Sequence, residues 1–159
     1  MKTAQKVVRP LRPFLDGKAV LEVACGDSSF SAAAAKYAAN VLASDISLER
    51  AQRIGLEKFP KNVRFRQADA AALNFPTGTF DTVVCYNALG HLQTVLPAVL
   101  AEMTRTAAPG GYLIFAATWE MDFSLLNEVQ ALAEEIPRLS AVSAPQISGC
   151  QLLILEKHL

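Results

Sequence analysis

Two acidic side chains in the first third of the chain stand where a nucleoside could be bound. Glu22 closes an apolar run at 19–21, and Asp45 closes a second apolar run at 41–44. In a βαβ unit, the second strand returns beside the first and presents a carboxylate to ribose hydroxyls about 20 residues after a glycine turn. Asp45 follows Gly26 at that distance, so the spacing predicts a nucleoside-binding βαβ unit.

The turn that follows Glu22 restricts the type of ligand. A pyrophosphate cofactor requires G-x-G-x-x-G, because the glycines allow close backbone approach and the helix N-terminus binds the anion. Here Gly26 is the only glycine, and Ala24 and Ser28 stand where further glycines are expected. Glu22 and Asp27 add carboxylates that repel a diphosphate and attract ammonium and sulfonium groups. The turn therefore favours a cationic ligand, with simple capping of the next helix as the alternative role of the two acids.

Three more polar residues end predicted strands. They are Asp69, Asn87 and Thr118. Ligands of open α/β sheets bind beyond the carboxyl ends of the strands, so these residues join the candidate site. For Asp69, a role in the turn alone is an equal alternative. Ile46 is placed to form an apolar wall against a flat ring.

The elements that must position these residues alternate between strand and helix. Apolar and β-branched runs predict strands at 19–21, 41–44, 63–68, 81–86, 112–117, 139–143 and 151–156. Helices are predicted at 30–39, 48–58, 94–107 and 124–135, with Pro109-Gly110-Gly111 ending the third. Residues 1–16 are predicted to form a short helix, broken by Pro10 and Pro13, that precedes the core. Sequential βα units require right-handed crossovers and a doubly wound parallel sheet, with 63–68 near its edge.

Length and composition predict one globular domain. The chain has 159 residues, of which 52% are hydrophobic, which is enough for a sheet covered on both faces. Lysine plus arginine and aspartate plus glutamate number 15 each, so there is no global charge to favour nucleic acid. The basic residues of the N-terminal segment are interpreted as solvated, with contact to an acidic acceptor as the alternative; they are Lys2, Lys6, Arg9 and Arg12.

The cysteines and the hydropathy pattern predict a location and exclude some sites. Cys25, Cys85 and Cys150 form no C-x-x-C pair and are odd in number, so neither a disulfide framework nor a metal site is expected. No apolar run approaches the roughly 18 residues of a membrane span. We expect a soluble, cytoplasmic protein with buried free thiols.

Three sequence blocks resemble class I S-adenosylmethionine-dependent methyltransferases, in the branch of the ubiquinone and menaquinone biosynthesis enzymes (methyltransferase type 11). The blocks are Val20 to Phe30 (VLEVACGDSSF), Asp69 to Leu92 (DAAALNFPTGTFDTVVCYNALGHL) and Leu100 to Ala116 (LAEMTRTAAPGGYLIFA). The second block is the most specific. The first departs from the E/D-x-G-x-G-x-G pattern of the family, because it keeps only Glu22 and Gly26.

The resemblance implies a fold and a cofactor. It implies a Rossmann-like, doubly wound, three-layer αβα domain over residues 1–159, with 1–16 as a short N-terminal segment or cap. Its seven-stranded sheet is mostly parallel, with the last strand antiparallel and inserted beside the fifth. The cofactor is S-adenosyl-L-methionine and its product S-adenosyl-L-homocysteine. The residues that the resemblance assigns to cofactor binding are Glu22, Ala24, Gly26, Asp45, Ile46, Asp69, Ala70 and Asn87.

Within that set, the resemblance divides the cofactor among the strand ends. Glu22 and Gly26 line the methionine portion, Asp45 binds the ribose hydroxyls, and Asp69 with Ala70 receives the adenine amino edge. On the acceptor side it places Tyr86, Asn87 and His91. His91 is a candidate to take a proton from a hydroxyl acceptor, because imidazole suits that role near neutral pH, with a structural position at the start of the next helix as the alternative. No catalytic residue is assigned, because positioning alone can supply much of the rate of methyl transfer.

We therefore expect methyl transfer to a small-molecule or lipid-like acceptor. The alternatives are a catalytically idle protein that binds the same cofactor and, third, an NAD-binding oxidoreductase. Trp119, Glu120, Met121 and Phe123 either form a wall for a hydrophobic acceptor or pack as a loop against the core. No insertion near them is long enough to form a lid, so the cover is expected from residues 1–16, a second subunit or a partner protein.

Overall fold

The apolar runs of the sequence form seven strands of a single sheet. The computed structural model describes residues 2–159, and its strands are β1 (Ala19–Val23), β2 (Asn40–Asp45), β3 (Val63–Gln67), β4 (Phe80–Tyr86), β5 (Ala107–Ala117), β6 (Leu139–Val142) and β7 (Gln151–Lys157). Their order in the sheet is β3-β2-β1-β4-β5-β7-β6. Strands β1 to β5 pair in parallel, and β7 pairs antiparallel with both β5 and β6. The predicted Rossmann-like sheet, with its last strand antiparallel beside the fifth, is confirmed.

Helices cover both faces of this sheet and produce two cores. The α-helices are α1 (Thr3–Val8), α2 (Arg12–Leu15), α3 (Ser29–Ala34), α4 (Glu49–Ile54), α5 (Leu96–Thr106) and α6 (Glu120–Glu134). Successive strand residues point to opposite faces, so Leu21 and Val83 pack with α5 and α6, whereas Val20 and Val84 pack with α1, α2 and α3. Three layers result, as the sequence predicted.

The N-terminal segment belongs to the core and does not merely precede it. A 3₁₀ turn (Arg9–Leu11) links α1 to α2, and Pro10 and Pro13 occupy first-turn positions, where a missing N–H is tolerated. Val7, Leu11 and Leu15 are almost fully buried beside α3. The expectation that the segment precedes the core was therefore wrong, although its basic side chains are exposed as expected.

Two predicted helices are shorter in the structure. The helix expected at 30–39 ends at Ala34 and continues only as turns. The helix expected at 48–58 ends at Ile54, because Gly55 adopts φ 102°, and the chain resumes as a 3₁₀ turn at Leu56–Lys58. Both sequences have helical propensity, but the positive φ at Gly55 stops the second helix.

The last two helices also have different boundaries. A 3₁₀ segment (Leu89–Val95) precedes α5, which ends at Thr106, so the predicted range 94–107 merged two conformations. Pro109-Gly110-Gly111 lies inside β5, where the β4–β5 register shifts between Phe80 and Thr82. This glycine pair marks a bulge and not a helix end. Helix α6 begins at Glu120, four residues before the predicted start at Ser124.

Among the described residues, no helix is both long enough and apolar enough to span a membrane.

Candidate functional site

The parallel strands bring their carboxyl ends to one edge of the sheet, and a set of hydrogen bonds joins them. Gly26 N donates to Asp45 Oδ2 at 2.8 Å, and Cys25 N donates to Ser44 O at 2.9 Å. Ala68 N donates to Asp45 O at 2.9 Å, which links β2 to the residues after β3. The predicted site residues on β1, β2 and β3 are therefore neighbours at one edge, with Asn87 on the other side of β1.

The turn after β1 has the backbone of a glycine-rich turn, although it has a single glycine. Ala24, Gly26 and Ser28 have φ angles of 50°, 57° and 61°. These are the three alternate positions at which the sequence pattern expects glycine. L-residues other than glycine adopt this left-handed conformation at a cost of about 1–2 kcal/mol. The rest of the fold therefore holds Ala24 and Ser28 in a strained conformation.

Glu22 is completely buried beneath this turn. Its Oε1 accepts hydrogen bonds from Ser31 N at 3.1 Å and Ser31 Oγ at 2.7 Å, and its Oε2 has no partner among the described residues. The pKa of the Glu22 carboxyl is raised to about 8, mainly by burial and to a smaller extent by the nearby charges of Asp27 and Asp45, while the hydrogen bonds from Ser31 oppose the rise. Near pH 7 the side chain is mostly protonated, so the prediction that Glu22 supplies a negative charge was wrong at that pH.

The Asp27 carboxylate has two partners, a backbone N–H and a guanidinium group. Its Oδ1 accepts a hydrogen bond from Ser29 N at 3.0 Å, and its Oδ2 lies 3.7 Å from Arg50 Nη2. The first contact is the capping role that the sequence left as an alternative. The second was missed, because no pattern relates Arg50 to the turn. A Cβ added to Gly26 would lie 2.7 Å from Arg50 Nη1, so the guanidinium closely approaches that glycine.

The ends of β2 and β3 form an exposed surface beside Asp45. Ile46 is 67% exposed, and its carbonyl accepts a hydrogen bond from Gln67 Nε2 at 2.7 Å. Asp69 is exposed and accepts a hydrogen bond from Ala71 N at 2.9 Å, while Ala70 is buried. An exposed apolar side chain therefore follows one carboxylate directly, and a second carboxylate follows the neighbouring strand, which suits a flat ring that carries polar groups on its rim.

On the other side of β1, β4 and β5 end in a mutual pair of hydrogen bonds. Asn87, with φ 52°, donates from Nδ2 to Thr118 Oγ1 at 2.7 Å, and its Oδ1 accepts from Thr118 N at 2.7 Å. Tyr86 is half-buried with its ring 5.3 Å from that of Phe30, and burial raises the pKa of its phenol. His91 is exposed in the 3₁₀ segment.

The residues after β5 begin a helix and do not form a loop. Trp119 is the N-cap of α6, and Met121 lies in its first turn; their exposed fractions are 48% and 72%. Asp122 beside them is buried, and its Oδ1 accepts a hydrogen bond from Gly90 N at 3.0 Å. The loop prediction for 119–123 was wrong, but two apolar side chains remain exposed at this edge.

Cys25 and Cys85 are buried free thiols as expected, whereas Cys150 is only partly buried, so the expectation was wrong for that residue. Cys25 lies buried in the turn, and burial raises the pKa of its thiol to about 12, so it is not a reactive thiolate. Within residues 2–159, no three histidine, cysteine, aspartate or glutamate side chains group as metal ligands.

The residues present fit an adenosyl ligand. Asp45 offers a carboxylate for hydroxyl groups, Ile46 an exposed apolar surface, and Asp69 an acceptor for an amine. The unpartnered Glu22 Oε2 lies under the turn at Gly26. The functional assignments of these residues remain predictions, whereas their proximity is observed.

Comparison with known proteins points the same way. A family model described as a methyltransferase domain matches residues 21–115. The chain is 39% identical over 104 residues to a 2-methyl-6-phytyl-1,4-hydroquinone methyltransferase of Synechocystis, covering 63% of this chain and 32% of that protein. It is 33% identical over 106 residues to a ubiquinone biosynthesis O-methyltransferase of Paracidovorax citrulli, covering 64% of this chain and 44% of that protein. The chain thus spans less than half the length of these relatives.

A solved structure extends the likeness to the whole fold. A SAM-dependent methyltransferase from Aquifex aeolicus superposes with a TM-score of 0.78 at 17% identity, covering 99% of this chain and 94% of the other. At that identity, the likeness concerns the fold alone.

Replacing the strained residues by glycine is expected to stabilise the protein. Ala24→Gly and Ser28→Gly each remove about 1–2 kcal/mol of strain from the folded protein, because glycine adopts left-handed φ freely. Part of this stabilisation is offset, because glycine also has more conformational freedom in the unfolded chain. We expect a net gain of about 0.5–1 kcal/mol each in the free energy of unfolding, measured by urea denaturation. The control is Ala33→Gly inside α3, which should destabilise by a similar amount. Equal losses of stability in all three variants would show that Ala24 and Ser28 are not strained.

The buried Glu22 is expected to make stability depend on pH. Its carboxyl titrates near pH 4.5 in the unfolded chain and near pH 8 in the folded protein, so the folded state holds more protons between these values. Stability should fall as pH rises through this window, by up to about 1.4 kcal/mol per pH unit, and level off above it. Urea denaturation between pH 5.5 and 8.5 measures the slope.

Glu22→Gln is expected to flatten that pH profile, because the amide does not titrate. The matched control is Glu128→Gln on the exposed side of α6, which should leave the slope unchanged. The same slope in Glu22→Gln and the unmodified protein would show that another group causes it.

Proposed function

The chain belongs to the methyltransferase domain family, and from this premise we propose that it transfers a methyl group from S-adenosylmethionine to a small-molecule or lipid-like acceptor. We also propose that residues 1–159 form one domain of this family. The single observation that carries the proposal is the position of Asp45, whose carboxylate binds Gly26 N at 2.8 Å beside the exposed Ile46.

We propose the following roles for the cofactor side. The Asp45 carboxylate accepts hydrogen bonds from the two ribose hydroxyls, because a carboxylate has lone pairs beyond those that Gly26 and Ser47 use. Ile46 lies against the adenine ring, and Asp69 with Ala70 meets its amino edge. Glu22, Ala24 and Gly26 line the methionine portion, and Asn87 closes the site from β4. When bound, S-adenosylmethionine supplies an electrophilic methyl group on a sulfonium sulfur.

Cofactor binding is also expected to change the protonation of Glu22. An ammonium group bound near the turn favours the ionised carboxylate, so we expect cofactor binding to release a proton from Glu22 below pH 8. The negative charge that the sequence led us to expect would then be present in the complex.

On the acceptor side, the chain offers polar residues but no preassembled base. Asn87 and Thr118 bind each other, and Tyr86 is half-buried with a raised phenol pKa, which disfavours the phenolate. His91 is exposed and is the group best suited to take a proton from a hydroxyl acceptor. We therefore propose positioning as the main contribution, with His91 as the proton acceptor.

The acceptor class is supported by two independent features. The two relatives described above carry names of a phytyl hydroquinone and of ubiquinone biosynthesis. In this chain, Trp119 and Met121 expose apolar surface at the carboxyl edge of the sheet. The names of the relatives agree with an acceptor that bears a hydroxyl group, and the exposed side chains agree with an apolar acceptor.

The first test is calorimetric titration with S-adenosylmethionine, S-adenosylhomocysteine and NAD. We expect both adenosyl ligands to bind and NAD not to bind. Asp45→Ala should weaken adenosyl binding by about tenfold to a hundredfold, because it removes charge-assisted hydrogen bonds to hydroxyls. Asp45→Asn keeps one acceptor oxygen and should lie between the two proteins.

The control variant is Asp16→Ala, an exposed aspartate paired with Arg12 ahead of β1 and away from the turn. NAD binding without adenosyl binding would indicate an oxidoreductase. Adenosyl binding without transfer of a labelled methyl group to a short-chain alkyl hydroquinone would favour the catalytically idle alternative.

We further propose that a second copy of the chain or a partner protein covers the acceptor edge. Residues 3–15 pack beside α3, so their apolar side chains belong to that core and are not available to cover the acceptor edge. Trp119 and Met121 remain exposed at the edge where water must be excluded.

The only tryptophan of the chain reports on this cover directly. Because Trp119 is half-exposed, its fluorescence should shift to shorter wavelength when a second copy covers it as protein concentration rises. Trp119→Phe provides the blank, and light scattering measures the mass. A spectrum and mass that stay constant with concentration exclude the second copy, and only a partner protein then remains.

A further inference from the structure

No helix of the described chain covers one face of the sheet at β2 and β3. The connection from β3 to β4 (68–79) contains no helix in the described chain, whereas α5 covers the same face farther along the sheet. A groove of about 460 Å³ remains between the strands and this connection. The half-buried Leu42 and the almost fully buried Phe80 form its apolar lining.

One end of the groove lies at the opposite end of β2 from the candidate cofactor site. Asn40 and Val41, which begin β2, line it, whereas Asp45 ends the same strand. At roughly 3.3 Å per residue, Asn40 and Asp45 are about 16 Å apart along the strand. The groove extends along β3 as far as Arg66, whose register partner on β2 is Ser44, so its other end approaches the end of β2 that carries Asp45.

The wall opposite β3 is firmly held. Arg105 of α5 donates from Nη1 to Phe75 O and from Nη2 to Leu73 O, both at 2.8 Å. Thr79 Oγ1 donates to Pro76 O at 2.6 Å. These bonds fix the connection, so the groove is preformed and ligand binding does not have to order it.

The groove carries three cations and no acid. Lys61, Arg64 and Arg66 line it, and no aspartate or glutamate does so among the described residues. Within residues 2–159, these three side chains form no ion pair, hydrogen bond or cation–π contact. Arg64 and Arg66 are two positions apart on β3 and therefore point to the same face.

Protection of the sheet edge is the simplest other role of these cations, because β3 is an edge strand and charged side chains discourage strand addition. That role needs charge beside the edge but no apolar floor or fixed opposite wall. Here the cations border a groove that contains Phe75 and Phe80, whose rings are 5.8 Å apart at 82°.

We propose that this groove binds a small aromatic anion, a flat apolar ring that carries phosphate or carboxylate groups. The ring lies on Leu42 and the edge of the phenylalanine pair, and the anionic groups bind Arg64 and Arg66, whose guanidinium groups match the bidentate geometry of phosphate and carboxylate. Lys61 adds a third positive charge at the end of the groove. The volume suits a ligand of this size.

The test is calorimetric titration of the full chain with ADP, benzene-1,3-dicarboxylate and inorganic phosphate, with saturating S-adenosylhomocysteine present. A parallel series uses Asp45→Ala, so that the result does not depend on cofactor binding. We expect one equivalent of an aromatic anion to bind, and the double variant Arg64→Gln/Arg66→Gln to weaken it by about tenfold or more. Binding of ADP alone identifies phosphate as the anionic group, and binding of the dicarboxylate alone identifies carboxylate.

The control is Lys6→Gln/Arg9→Gln, which removes the same charge from exposed positions near the N-terminus and should leave binding unchanged. Equal weakening in both double variants would overturn the site, because only the overall charge would then matter. Failure of both aromatic anions to bind, or inorganic phosphate binding as tightly as they do, would overturn it as well.

Discussion

The hydrogen bond from Gly26 N to the Asp45 carboxylate joins the ends of two strands that are far apart in sequence. Cys25 N and Ser44 Oγ add two more links, to Ser44 O and Glu22 O. Together these bonds hold the turn after β1 against the end of β2, and the cofactor side of the site depends on that contact. Parallel pairing of β1 with β2 brings the strand ends together, and the turn then adopts the conformation that satisfies them.

The strand order and the position of the site were predictable from the sequence, because they depend on periodicity and on resemblance. Apolar runs keep their pattern whatever the surrounding structure, so six of the seven strands lie close to their predicted ranges, whereas β5 begins at Ala107, five residues before its predicted start. Helix boundaries were less predictable. The break at Gly55 needs a positive φ, and the early start of α6 at Glu120 depends on packing that propensity does not describe.

Charge in the site was the least predictable property. A glutamate and an aspartate look alike in sequence as two negative charges, but burial keeps Glu22 protonated near neutral pH and Arg50 faces Asp27. Likewise, the whole chain has equal numbers of acidic and basic residues, which gave no reason to expect a local concentration of either charge. The fold separates them, with Asp45 and Asp69 at the carboxyl ends of the strands and Arg64 and Arg66 along the edge strand. Overall charge balance therefore says little about what each edge of such a sheet can bind.

The missing glycines do not by themselves argue against cofactor binding, because of where the extra atoms lie. Ser28 is completely buried, so its hydroxymethyl group lies inside the protein. Ala24 packs against the core formed with α5 and α6. Gly26, the one glycine retained, is the position at which Arg50 would meet an added Cβ. Since the backbone keeps left-handed φ at all three positions, the turn keeps its shape at a cost in conformational energy. Ser28 adds its bulk inside the protein, and Ala24 adds a single methyl group to the proposed lining of the methionine portion.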